Sequence, residues 1–278
     1  GVNPFKFGVI RATDSHTSLT TTREENNFGK VSPMEPSPDR FKDQIIPDPD
    51  DVGTRTYEFE TIASGLQGIW SRENTRESLW DAMMRKETYG TTGTRLTVRV
   101  FAGWNYDKDD VLQPDFANIG YLGGVPMGGD LTAAPRGKAP RLMVRALRDP
   151  DGANLDRVQI IKGWLDGKGE LHEKIYDIAC SDDRPIGSDK RCNRPVGSTV
   201  DVAAASFTNS IGDVSMVAYW EDPDFDSDER AFYYVRVLEI PTPRWTTYDA
   251  AFYNVKIPEG VPAEQQERAY TSPIWYTP

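Results

Sequence analysis

The residues best suited to chemistry lie near the start of the chain, in Arg11-Ala12-Thr13-Asp14-Ser15-His16-Thr17. Asp14 and His16 are two residues apart and follow an apolar run over residues 5–10. In a strand, residues i and i+2 point to the same side, so the carboxylate and the imidazole can reach one ion. An Asp oxygen with a His nitrogen is a mixed donor pair that suits zinc, manganese or iron. A catalytic metal takes about three protein ligands, and this stretch offers two. The other histidine, His172, sits in the polar segment Gly169-Glu170-Leu171-His172-Glu173 and reads as a surface residue. It has no nucleophile partner in the sequence, and no Gly-x-Ser-x-Gly is present, so a serine-hydrolase triad is unsupported.

Three further stretches carry polar groups in suggestive patterns. Asp222, Asp224, Asp226 and Asp228 alternate as they do in a calcium loop. Ser227 stands where that loop needs glycine, and Tyr233 where it needs a bidentate Glu, which leaves a solvated acidic turn as the better reading. Residues 120–129 contain five glycines, but no helix-forming pattern or lysine follows as a phosphate loop requires. That stretch reads as a loop of close backbone approach. Near the end, Arg244 and Arg268 lie among Trp245, Tyr270, Trp275 and Tyr276. Arginine can fix an anionic group through paired hydrogen bonds and aromatics can line a pocket, so both arginines are candidate substrate contacts. The alternative is a terminal strand packed by aromatics and Arg stems. Cys180 and Cys192 sit in a polar loop as two free thiols or one disulfide, and so close a pair favours the bridge, which belongs to an oxidising compartment.

The elements that must position these groups follow from periodicity. Residues 5–10 and 66–71 are expected to be short strands. A helix follows, with Asn74 as N-cap, Glu77 completing a capping box, and Leu79, Trp80, Met83 and Met84 on the core face. From residue 96 apolar residues alternate with polar ones. Residues 96–100, 141–147, 158–161, 174–178, 198–205, 214–220 and 231–240 read as strands separated by turns such as Asp149-Pro150-Asp151-Gly152. Residues 18–56 are punctuated by Pro33, Pro36, Pro38, Pro47 and Pro49 and read as a surface excursion, with a lid over Asp14 as the other possibility. Together these give an α+β, mainly β chain: a strand–helix part over residues 1–95, then an antiparallel β-sandwich over residues 96–278.

Composition narrows the partners. Forty-three acidic against 32 basic residues leave a net charge of −11, which disfavours nucleic acid and anionic membrane. No apolar run approaches the roughly 18–20 residues of a membrane span, so no membrane insertion is expected. The chain opens on Gly1-Val2-Asn3-Pro4 with no initiating Met and reads as a mature or excised piece.

Several stretches carry a family resemblance: residues 12–17 (Ala-Thr-Asp-Ser-His-Thr), 73–83 (Glu-Asn-Thr-Arg-Glu-Ser-Leu-Trp-Asp-Ala-Met), 87–95 (Glu-Thr-Tyr-Gly-Thr-Thr-Gly-Thr-Arg), 144–157, 236–245 and 267–276. They resemble the domain-of-unknown-function family numbered 3604, relatives of the PHP (polymerase and histidinol phosphatase) metal-dependent phosphoesterases, over essentially the whole chain. The resemblance implies a PHP-like (β/α) barrel with a multinuclear metal site, whose late Asp-x-His ligands match Asp14 and His16. It implies export to the periplasm or the cell exterior, in keeping with a Cys180–Cys192 disulfide. It also implies a small-molecule ester substrate and a divalent metal (zinc, manganese or iron) in the intact protein. The family's early His-x-His motif has no counterpart here. The chain is therefore expected to be the C-terminal portion of such a metallohydrolase, its barrel end in residues 1–95. The missing N-terminal barrel portion would be its partner, and the isolated piece is expected to be inactive. The rival expectation is a β-sandwich binding or interaction module with no catalytic role.

Overall fold

The computed structural model describes residues 3–12, 14–19, 21–47, 50, 53, 55–132 and 134–278. Thr13 and Pro49 lie outside the described residues. The strands are β1 (Gln44–Ile46), β2 (Thr56–Tyr57), β3 (Gln67–Ile69), β4 (Thr88–Thr91), β5 (Thr97–Gly103), β6 (Gly124–Pro126), β7 (Asp130–Thr132), β8 (Arg141–Leu147), β9 (Leu155–Leu165), β10 (Leu171–Cys180), β11 (Ser215–Glu221), β12 (Arg230–Pro243), β13 (Glu264–Thr271) and β14 (Ile274–Thr277). Among the described residues three α-helices accompany them: α1 (Arg76–Met84), α2 (Phe116–Gly123) and α3 (Trp245–Tyr253).

The period-two pattern produces two facing sheets. The larger runs β10-β9-β12-β13-β4-β3, with β14 pairing β12 and β7; the smaller runs β11-β8-β5-β6. Alternate residues of each sheet turn inward. Val98, Val100, Leu142, Val144 and Met216 of the smaller sheet meet Val158, Ile160, Val235, Val237 and Ile274 of the larger in one buried cluster. Each such side chain taken fully out of water contributes roughly 1.5–3 kcal/mol, and this shared interior makes the architecture mainly β. A buried ion pair also bridges the layers. Lys162 of β9 reaches Asp222, just past β11, at 2.7 Å, with both side chains almost fully enclosed. Tyr233 of β12 donates its hydroxyl to the same carboxylate at 2.7 Å. Asp222 is thus spent inside the sandwich rather than solvated, and Asp224 pairs with Lys174 and accepts from the Tyr176 hydroxyl.

Several local expectations are corrected. Residues 5–10 form no strand. They cross the larger sheet's edge in an extended path pinned by side chains, with the Val9 amide donating to Ser272 Oγ at 2.9 Å and the Thr88 hydroxyl to the Val9 carbonyl at 2.8 Å. The cap of α1 is Thr75, whose side chain accepts from the Ser78 amide, and not Asn74. Only Ala82 of α1 is buried; Trp80, Met83 and Met84 are exposed, so the methionines are not core. Residues 198–205 form turns closed by a single Asp201–Ser206 bridge. The glycine stretch is followed by strands rather than a helix, as expected, but its first residues are helical. Gly120 and Gly123 belong to α2, and at Gly120 a Cβ would fall 2.4 Å from the Phe101 ring.

The boundary expected near residue 95 falls between β4 and β5, the passage from one sheet to the other. β3 and β4 pair antiparallel to each other, and β4 pairs antiparallel with β13. Within the segment expected at residues 18–56, the described residues Glu24, Arg40 and Phe41 pack on α3. Arg40 is buried, 2.6 Å from Asp249 and 4.0 Å above the Trp245 ring, and it donates to the Asn27 carbonyl at 2.9 Å. Phe41 stacks on Trp245, forming a second small core with Ala250.

Candidate functional site

The Asp14–His16 pair is built from this packed segment. Glu58, enclosed within a 3-10 turn over Glu58–Glu60, accepts from the Lys30 amide at 2.9 Å. The Lys30 carbonyl accepts from the His16 amide at 2.9 Å, and the Lys30 ammonium bonds both the backbone oxygen and the carboxylate of Asp14. Asp14 has a left-handed backbone (φ 44°), which short polar side chains tolerate best. The turn brings its Oδ1 to 3.3 Å from His16 Nε2. Hydrogen bonds from Lys30 and then from His16 hold the Asp14 carboxyl below the usual carboxylate range. Both side chains face solvent, at 78% and 61% exposure.

Two donors stand side by side, and among the described residues no third joins them. Among the described residues the one group of three or more potential ligands is Asp177, Cys180 and Cys192, and the two cysteines are joined in a disulfide. A pair with two ligand atoms does not hold a catalytic ion unaided, so these residues do not fit a complete metal centre.

The two arginines part company. Arg244 precedes α3 at 5% exposure and donates to the Thr61 carbonyl at 2.5 Å beside Glu24 and Glu267. Its guanidinium fastens the long segment to the sandwich and does not face an open pocket. Arg268 is half-buried and lines a 240 Å³ cleft with Arg11, Thr92, Gln266, Glu267 and Tyr270. That cleft brings Arg268 close to Arg11, three residues before Asp14. His172 pairs with Asp166 at 2.9 Å and stacks on Trp164, as a surface residue can.

A group of buried carboxylates escaped the sequence reading. Glu24, Glu239 and Glu267 converge where residues 22–25, β12 and β13 meet, beside a 120 Å³ pocket that also touches Thr94, Arg95 and Asp149. Glu24 accepts from the Ala63 and Trp245 amides at 2.5 and 2.8 Å and so caps the start of α3. Glu239 accepts from Thr94 Oγ1 at 2.6 Å, and Glu267 from Thr92 Oγ1 and Gln265. Burial first, then mutual repulsion, pushes Glu239 up to about 8; burial pushes Glu267 up to about 7. Groups that titrate near neutrality can exchange protons, but these are almost enclosed and each bonds the fold around it. The signal that could have found them is phase: Glu239 adjoins the apolar run of β12, and Glu267 is in step with inward-facing Ala269.

One apolar feature borders the start of the described chain. The outer face of the larger sheet carries Phe232, Tyr234, Tyr270 and Trp275, with Phe232 and Trp275 at 5.2 Å between ring centroids. Residues 5–11 border this 570 Å³ groove, and Phe5, Phe7 and Ile10 stand out into solvent. Among the described residues no helix is long and apolar enough to cross a membrane.

The family model described as "Protein of unknown function (DUF3604)" matches residues 1–278. No curated protein and no solved structure matches the chain.

Proposed function

The chain belongs to the DUF3604 family, and from that premise we propose that it is the C-terminal part of a PHP-like, metal-dependent hydrolase whose metal centre is completed by a second body. The observation that carries this reading is the exposed Asp14–His16 pair: two donors, oriented by Lys30, with no third ligand among the described residues. A solvated surface Asp–His pair needs no such chain of supports through Lys30 and Glu58. The aromatic groove beside residues 5–11 supports the same reading, because an apolar face of that size, bordered by the run that leads into the half-site, suits the docking of the body that brings the other ligands. That body is an upstream barrel portion of the same polypeptide or a separate chain.

Zinc, manganese or iron would belong to the assembled protein, as would hydrolysis of a phosphoester or related small-molecule ester. Nucleic acid and membrane insertion have no part in this reading, given the −11 charge. The disulfide supports a periplasmic or extracellular protein. The binding-module reading draws on the same groove, and turnover separates the two. The 278-residue chain, assayed with added Mn²⁺ or Zn²⁺ on bis(p-nitrophenyl) phosphate and p-nitrophenyl phosphate, is expected to show no turnover. Supplied with the barrel portion it is expected to turn over, and Asp14→Ala or His16→Ala to lose about 100-fold or more, as removal of a ligand or its support does. Robust turnover by the 278-residue chain alone, or full activity of the assembled Asp14→Ala protein, would overturn the proposal.

A further inference from the structure

The outward face of the smaller sheet has its own unexplained chemistry. Register places Arg99 of β5 directly opposite Arg145 of β8, with Val217 of β11 on the far side of Arg145. Like charges directly opposite one another destabilise an antiparallel pair, and a chain of net charge −11 has carboxylates to spare. Among the described residues Arg145 nevertheless has no carboxylate partner: it donates to the Val111 and Gln113 carbonyls at 2.8 and 2.6 Å and lies 4.5 Å over the Phe116 ring. Arg99 lies 4.4 Å over Trp70 and donates from Nη2 to the Tyr121 hydroxyl at 2.9 Å. Its nearest carboxylate is Glu87 at 3.9 Å, which also takes the Tyr121 hydroxyl and Arg85. Arg99 Nε is buried with no acceptor.

Arg99 and Arg145 line a 480 Å³ pocket with Trp70, and Phe116 lies buried beneath Arg145. The pocket's rim is apolar and open: Leu112, Leu147 and Val217 are exposed at 64%, 48% and 42%. An aromatic-walled pocket with two cations at its base and apolar lips is complementary to an oxyanion carried on a flat apolar body. A guanidinium fork matches a carboxylate, and the Trp70 ring with the apolar rim matches an aryl group.

We propose that the outer face of the smaller sheet holds a binding site for an arylcarboxylate, its carboxylate on Arg99 and Arg145 and its ring against Trp70 and the exposed apolar rim of Leu112, Leu147 and Val217. The site is distinct from the Asp14–His16 pair and does not depend on the hydrolase reading.

Calorimetric titration of the full chain with 2-naphthoate tests it, with 2-naphthamide and inorganic phosphate as the neutral and the bodiless probes. The expected result is saturable one-to-one binding of 2-naphthoate, with each of the other probes at least about tenfold weaker, the size of one charge-assisted hydrogen bond lost. Arg99→Gln is expected to weaken 2-naphthoate about tenfold or more. Arg99 also packs on Trp70, so Leu147→Glu serves as the second variant: the position is exposed, and the added carboxylate should repel the anion and abolish binding while the melting temperature holds. Leu171→Ala, on an exposed position of the other sheet, should bind as the parent does. No saturable binding of 2-naphthoate, equal binding of the amide or of phosphate, or undiminished affinity in Leu147→Glu would each refute the proposal.

Discussion

At the scale of single residues, burial decides which charges matter. Asp14 and His16 are exposed, and their ion pairs with Lys30 and with each other are screened by water and worth little, so Asp14→Ala and His16→Ala should melt close to the temperature of the parent; a clear drop in either would mean that the pair is structural. Asp222 is the opposite case. Removing it leaves Lys162 charged inside the sandwich and the Tyr233 hydroxyl without its acceptor. Breaking one side of a buried pair costs about 3–5 kcal/mol, so Asp222→Ala should lower the unfolding free energy from urea titration by about that amount. A near-neutral result would show that water reaches Lys162. Glu239 and Glu267 predict a pH dependence. Their carboxyls bind protons more tightly in the folded chain, at about 8 and about 7, than at their ordinary 4.5. Their contribution is therefore fully present below about pH 4.5 and is lost as pH rises toward 8. The melting temperature of the parent should fall between pH 5 and pH 8 by more than that of Glu239→Gln. Parallel curves would contradict the enclosure of Glu239.

At the scale of elements, the strands were legible because a half-buried strand writes its two faces into alternate residues. The strand expected at residues 141–147 coincides with β8, and β5, β11 and β12 lie within a few residues of their expected bounds. The helices α2 and α3 left no comparable trace. α2 contains two glycines and is apolar nearly all round, and α3 opens with Trp245-Thr246-Thr247, residues of modest helix propensity. What shapes α3 is tertiary: Arg40 and Phe41 against Trp245, and Glu24 on its first amide. The apolar run at residues 5–10 misled for the converse reason, since its hydrophobic side chains mark an open surface and not a buried strand. The proximity of Cys180 and Cys192 was readable, and the bridge ties the end of β10 to the loop after it across a separation of 12 residues. Closing a loop of that size in the unfolded chain is worth about 3 kcal/mol. The double variant Cys180→Ala/Cys192→Ala should lose about that much in a denaturant titration, and a loss below about 1 kcal/mol would show that the loop is already ordered without the bond.

At the scale of the whole molecule, a two-layer sandwich carries an arm beside the outer face of its larger sheet, and Asp14 and His16 follow that arm. The candidate ligands were legible from type and spacing alone. Their supports were not, because Lys30 and Glu58 come from a stretch with no periodicity, and only the fold brings them to Asp14. Glu24 ties the start of the long segment to Ala63 and to the first amide of α3, while Glu239 and Glu267 tie β12 and β13 to Thr94 and Thr92 just past β4. The aromatic groove beside the arm offers a second body an apolar place to rest.

The central claim is that this chain holds half of a metal centre. It is tested most directly by loading the 278-residue chain with Zn²⁺ or Mn²⁺, passing it through gel filtration in metal-free buffer, and measuring the metal retained per chain. Retention near zero, rising to a full complement only when the completing body is bound and falling again in Asp14→Ala, is the predicted result. One or more equivalents retained by the chain alone would contradict it.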